Sequence, residues 1–375
     1  MIVADEPHVV AVVPGLLGTA DGAQRPAVSE RFLVGLELTL RARVPQTSVR
    51  VVPLPMLPAE ALVTRQRLLS AQLATLARRF GEPRVHLLGL GTGGVDAALI
   101  ARQHALVEAG EGTSRYDEIA LDHRAIDSVT TLAAPLFGTS LVRASMPAVG
   151  PGTGTSAVRA VSPASWSLAA SVPDGTPVPP SLRAVDDRRL ALAGAVLRRG
   201  PLHRDLDPDV VGALVARDNR RPGVAMFCFA TLAPLPGTGL EGTPADTLYA
   251  DLWRWTAERA TGAAAPRFPS FDASDVIASH ADLRPALILP EDSDGLINTA
   301  RQVDPQATFA GLVLGDHADV LGLYRRTDPF SGATFDPGLL ASGAAFGDAE
   351  FFVLLERIAD GIANTIVKRP WGGGD

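Results

Sequence analysis

Val85 to Asp96 reads V-H-L-L-G-L-G-T-G-G-V-D, an apolar run that breaks into glycines at 89, 91, 93 and 94 and then into a helix-forming segment. This is the pattern of a strand, a sharp turn and a helix start. It constrains the fold more than any other stretch of the chain. Gly89 and Gly93 fall where side chains would crowd the backbone crossing the turn. Gly94 permits close packing of helix on strand. The helix beginning near Thr92 aims its first N–H groups at the turn, a position suited to an anion.

The remaining segments fit around that unit as alternating strands and helices. Strands are expected at His8–Val13, Ser48–Pro53, Val85–Gly89, Ile126–Leu132, Val224–Leu232, Ala286–Leu289 and Thr308–Leu314, as short apolar or β-branched runs. Helical apolar spacing marks Pro26–Arg43, Pro58–Phe80, Val95–Glu108, Thr243–Thr261 and a closing helix at Phe346–Val367. Strands that alternate with helices imply right-handed crossovers and a mostly parallel sheet flanked by helices. The alternation loosens between Gly138 and Arg221, a stretch rich in Pro, Gly and Ser with helical pieces near Arg183–Arg199 and Pro208–Asp218. We read residues 1–375 as one α/β domain with an inserted cap or lid at 138–221.

Composition narrows the function classes. Hydrophobic residues make up 46% of the chain and charged residues 20%, as in an ordinary soluble domain. A net charge of −7 argues against a nucleic-acid surface. Cys228 is the only cysteine, so no intramolecular disulfide can form. There is no apolar run of membrane-spanning length, and the segment from Met1 to Pro14 lacks the features of a signal peptide. A cytoplasmic location is therefore expected. The oligomeric state is not legible.

Five segments in this order resemble the α/β-hydrolase superfamily, and more closely its bacterial lipase and esterase branch. Val12-Val13-Pro14-Gly15-Leu16-Leu17-Gly18 is similar to the oxyanion loop, with Pro14-Gly15 in place of the usual His-Gly. Val85 to Ala97 is similar to V-H-L-x-G-x-S-x-G-G-x-D-A, the nucleophile elbow. Thr131 to Thr139 resembles the T-x-x-x-P-x-x-G-[ST] strand end. Ser293-Asp294-Gly295-Leu296-Ile297 resembles the acid turn, and Gly315-Asp316-His317-Ala318-Asp319 the histidine turn. The resemblance implies an α/β-hydrolase fold, an Asp294–His317 dyad, and an oxyanion hole formed by the N–H groups of Leu16 and Thr92. It also implies a small ester, acyl or other apolar ligand as partner.

One position departs from the pattern. Gly91 occupies the tip of the elbow, where a serine hydrolase carries its hydroxyl. Losing a triad nucleophile costs about 10⁶ in rate, leaving about 10³–10⁴ over water from the oxyanion hole and binding. Three readings follow: a natural pseudoenzyme, which we prefer, an engineered knockout, or hydrolysis by water beside Gly91. Thr92 is a weaker candidate nucleophile, one residue past the tip. If the dyad forms, one nitrogen of His317 should meet Asp294. The other should face Gly91 across an empty or water-filled gap. Asp292 is the rival for the acid, and both turns could also be simple Asx turns.

Other motifs carry less. Gly89-x-Gly91-x-x-Gly94 also satisfies the dinucleotide fingerprint, which makes a nucleotide-binding protein the formal competitor. Against that reading, the turn follows the third strand, and no acidic residue ends a following strand about 20 residues on. His86 reads as a packed or edge histidine. His123, His203 and His280 lack metal-ligand spacing. No metal or cofactor is expected.

Overall fold

β-branched and apolar runs build the strands of the computed structural model. The structure describes residues 7–15, 29–57, 60–108, 126–144, 204–216, 224–236, 238, 247–258, 260, 266–280, 284–327, 332, 334–335, 340 and 342–368. The elements in chain order begin β1 (His8–Val13), α1 (Glu30–Arg43), β2 (Val49–Pro53), α2 (Leu62–Phe80), β3 (Arg84–Leu90), α3 (Thr92–Glu108) and β4 (Ile126–Leu132). They continue with α4 (Leu141–Ala144), α5 (Pro208–Ala216), β5 (Ala225–Leu232), α6 (Thr247–Glu258), β6 (Val276–Ile277), β7 (Thr308–Leu314) and α7 (Asp348–Lys368). A small antiparallel pair, β8 (Arg326–Thr327) with β9 (Thr334–Phe335), stands apart from the main sheet.

Seven strands form one sheet in the order β2-β1-β3-β4-β5-β7-β6, and every neighbouring pair is parallel. Both faces are covered, which explains the continuous apolar character of β1, β3 and β4. On one face Val10, Val12, Leu88 and Leu90 pack with Phe32, Leu36 and Leu40 of α1 and with Phe351, Leu355 and Ile358 of α7. On the other, Val9, Ala11, Val85 and Leu87 meet Leu69 and Leu73 of α2 and Ala97 and Ala101 of α3. Helix ends follow local chemistry. Ser29 caps α1 by accepting from Phe32 N, and α2 stops at Gly81 in the left-handed region. Cys228 is fully buried in β5, where burial pushes its thiol up to about 11.

One expected strand does not form. Ala286–Leu289 is bend and irregular chain, with Leu287 and Leu289 exposed, and the edge position is taken by β6. Pro285 and Pro290 bracket the apolar run, and proline cannot donate to a ladder. Of the 138–221 segment, 138–144 and 204–216 are described. Val142, Leu206 and Val211 pack there against Leu62 of α2 and Val95 of α3. The expected helix at Arg183–Arg199 lies outside the described residues, as does the rest of that segment. Among the described residues no helix is long and apolar enough to cross a membrane.

A buried ion pair ties the first loop to the elbow helix. Arg65 on α2 donates from Nε to Asp96 Oδ2 at 2.8 Å, and from Nη1 to the Leu57 carbonyl at 2.9 Å. Its Nη2 bonds the same Asp96 oxygen and reaches the Pro14 carbonyl at 3.4 Å. Both side chains are fully buried. Burial pushes the Asp96 carboxyl up to about 6 against the pull of Arg65, and Asp96 Oδ1 has no hydrogen bond among the described residues. Replacing one partner leaves a buried polar group without its counterpart, so Arg65→Met should lower stability by about 3–5 kcal/mol. Adding Asp96→Leu should recover a large part of that loss. Urea denaturation of the two variants checks this, and equal losses in both would contradict it.

Candidate active site

The elbow is held by backbone contacts that leave no room for side chains. Gly91 turns the chain at φ +52°, in the left-handed region, and its carbonyl accepts from Gly94 N at 2.9 Å. Pro14 and Gly15 run directly over this turn. A Cβ on Gly15 would overlap the Leu90 carbonyl oxygen and sit 2.7 Å from Thr92 N. On Gly93 it would overlap the Val13 carbonyl oxygen, and on Gly89 it would overlap Gly94 Cα. At these three positions the obstacle is backbone, so glycine is a packing requirement.

Gly91 is different. A Cβ there would lie 2.9 Å from His317 Nε2 and 3.3 Å from its Cε1. Its nearest obstacle is therefore a side chain that can shift. The expected gap between histidine and turn is absent, because the imidazole edge lies against the glycine. A side chain at position 91 requires the ring to give by a few tenths of an ångström.

The ring is oriented from behind by Asp294. His317 Nδ1 lies 2.8 Å from Asp294 Oδ2, and His317 N donates to the Asp294 carbonyl at 3.1 Å. The carboxylate is fully buried and its remaining lone pairs are occupied. Oδ1 accepts from Leu296 N at 3.0 Å and Ile297 N at 2.8 Å. Oδ2 also accepts from Thr231 Oγ1 at 2.7 Å and Gln302 Nε2 at 3.3 Å. Such bonds offset the large cost of burying a carboxylate. Asp292 is placed elsewhere: its Oδ2 accepts from Leu289 N at 2.7 Å.

Asp294 does not follow a strand of its own, as the missing Ala286–Leu289 strand would have required. It sits in a tight turn closed by the Ser293–Asn298 bridge, and Ala233 N donating to the Ser293 carbonyl at 3.0 Å docks that turn on the end of β5. Gln302 locks it further, donating to the Thr231 and Ile297 carbonyls, each at 3.2 Å. Thr231 and Gln302 carry no local sequence signal that sets them apart. Only the meeting of β5 with the 3-10 turn Thr299–Gln302 brings them to the acid.

Gly91, Asp294 and His317 thus meet at the carboxyl edge of the sheet, where open α/β sheets place their sites. Thr92 opens α3, so its N–H has no acceptor within the helix. Its hydroxyl is buried and makes no hydrogen bond among the described residues, to His317 or otherwise. Leu16, expected to give the second N–H, lies outside the described residues. So do His123 and His203, while His280 is exposed.

A parallel sheet with an elbow after a central strand, an acid turn beside β5 and a histidine turn after β7 is the α/β-hydrolase fold. Lipases and esterases are among the solved structures that resemble it. A metagenomic carboxyl esterase matches 97% of this chain and 77% of its own at 14% identity and a TM-score of 0.49. EstA of Clostridium botulinum matches at 13% identity and 0.49, over 97% and 89% of the two chains. The Staphylococcus hyicus lipase matches at 12% and 0.46, over 97% and 96%. No family model matches the chain. No curated protein matches it either.

The histidine turn buries two further acids. Asp316 Oδ1 accepts from Ala318 N and Asp319 N, and Asp319 Oδ2 accepts from Asp316 N at 2.9 Å. Burial pushes the Asp316 carboxyl up to about 6. Burial, with the Asp316 charge beside it, pushes Asp319 well above the usual range. The unfolded chain releases such protons near pH 4, whereas the fold retains them to higher pH. Stability therefore falls as pH rises through that window, and the penalty is complete above the folded-state values. Asp319→Asn keeps an acceptor for Asp316 N and removes its share of the penalty. Its urea midpoint relative to wild type should improve steadily as pH rises above about 4, where the unfolded chain loses these protons and the fold still holds them. A difference independent of pH would contradict the assignment.

Proposed function

We propose that this protein is a lipase- or esterase-like α/β-hydrolase-fold chain. It binds a small ester, acyl or other apolar ligand at the elbow, and it is silent or weakly active because residue 91 has no hydroxyl. The observation that carries this reading is the approach of His317 Nε2 to within 2.9 Å of where a side chain at position 91 would begin. With Asp294 on its other nitrogen, the ring has the posture of a general base serving a nucleophile at that point. Thr92 N would supply one oxyanion donor and Leu16 N the other. In this reading residues 138–221 cap the carboxyl edge.

A second reading keeps some activity. The fully bonded Asp294–His317 pair supports His317 as base for a water molecule, which would give slow hydrolysis without a covalent intermediate. A threonine nucleophile is less favoured, since the Thr92 hydroxyl does not bond the base. The dinucleotide reading fares worst. Gly15 and Val13 press on the glycine turn from one side and His317 from another, where a pyrophosphate would have to approach.

Gly91→Ser tests the proposal. A non-glycine residue at φ +52° costs about 1–3 kcal/mol, so some stability is lost. Hydrolysis of short p-nitrophenyl esters should rise from near background by about 10²-fold or more. Adding His317→Ala should abolish the gain, and adding Asp294→Asn should remove most of it. A wild type that hydrolyses esters at ordinary enzyme rates would overturn the silent reading. Weak wild-type activity abolished by His317→Ala would favour the water route.

A further inference from the structure

The amino ends of the strands, opposite the edge that carries Gly91, hold a second group of side chains able to do chemistry. β1 and β3 run parallel with His8 beside Arg84 and Val10 beside His86. Residues two apart in a strand share a face, so His8 and His86 project from the face that also carries Val10 and Leu88. Their rings stack at 5.2 Å and 20°, and His8 Nδ1 lies 2.9 Å from His86 Nε2. The other nitrogen of His86 lies 2.8 Å from Ser128 Oγ.

The third member arrives through an irregularity. Val85 pairs with Ile126 but His86 pairs with Ser128, so Asp127 is an extra residue on β4. A bulge of this kind re-aims a side chain. Here it brings the Asp127 carboxylate into reach: one ring nitrogen from each histidine and one carboxylate oxygen all lie within 4.8 Å of one another. All three residues are buried, with His8 8%, His86 0% and Asp127 6% exposed. Arg84 Nη1, 3.4 Å from Asp127 Oδ1, is on the partly exposed side of the group.

We propose that His8, His86 and Asp127 form a site for a divalent transition metal of the zinc class. Two imidazole nitrogens and a carboxylate oxygen are a donor set that zinc takes, at about 2.0–2.2 Å. Tetrahedral ligand atoms at that distance lie about 3.4 Å apart, so the 2.9 Å histidine pair needs to open only slightly. The metal would replace the imidazole–imidazole hydrogen bond. Ser128 would hold His86 from the outer shell, fixing which nitrogen faces the ion. A water molecule would complete the fourth position. Such an ion would fasten β1, β3 and β4 together at the end remote from the elbow.

The test uses the full chain stripped with a chelator and titrated with zinc ion alone by calorimetry, and with cobalt ion by visible absorption. One equivalent of zinc should bind, the thermal midpoint should rise, and cobalt should give the intense bands of a four-coordinate site. His8→Gln, His86→Gln and Asp127→Asn should each weaken zinc binding by about 100-fold or more, while His280→Gln should leave it unchanged. His86 sits deepest and its variant could unfold. His8→Gln, at the start of β1, then carries the test, with circular dichroism as the folding control. Absence of stoichiometric zinc binding, or binding unchanged in folded His8→Gln and Asp127→Asn variants, would overturn the proposal.

Discussion

The crossing of Pro14–Gly15 over the β3–α3 turn is the contact on which the rest of the site depends. Two backbones meet there with Gly15 against Leu90 and Thr92, and Gly93 against Val13. A single methyl group at any of these glycines would force the segments apart. The Arg65–Asp96 pair holds the crossing from the α2 side, since one guanidinium bonds the elbow helix and reaches the Pro14 carbonyl. His317 then rests against the buried tip of the turn. The position of the ring relative to residue 91 is thus determined by packing several residues away.

The acid side is equally constrained, by polar contacts. A buried carboxylate persists only when its lone pairs are occupied, and Asp294 accepts from two backbone N–H groups, a hydroxyl, an amide and the imidazole. This arrangement costs conformational freedom and desolvation whether or not a nucleophile is present. Its persistence beside a glycine means that the polar half of the site does not depend on the side chain at position 91. For that reason we expect Gly91→Ser alone to introduce ester hydrolysis at this site.

Much of this was legible in the sequence because it is local. The glycines of the elbow and the apolar runs of β1, β4 and β7 state their own conformation, and their boundaries agree closely with the structure. Ala286–Leu289 misled because a short apolar run does not reveal whether a neighbouring strand is available. The flanking prolines were the signal against it. Thr231, Gln302 and the His8–His86–Asp127 group were invisible for another reason. Their meaning lies in the register between strands, and in the case of Asp127 in a slip of that register by one residue. The gap expected beside Gly91 was wrong because glycine lets the histidine close in, a consequence of packing that spacing along the chain cannot express.

In the proposed reading the site lacks only a nucleophile. Covalent capture by a fluorophosphonate tests it most directly, because the reaction needs the hydroxyl, the base and the oxyanion donors at once and needs no knowledge of the natural ligand. Intact-mass and peptide analysis should find wild type unmodified and Gly91→Ser modified once, at residue 91, with labelling lost when His317→Ala is added. A folded Gly91→Ser variant that remains unlabelled, or a wild type labelled at Thr92, would contradict the account.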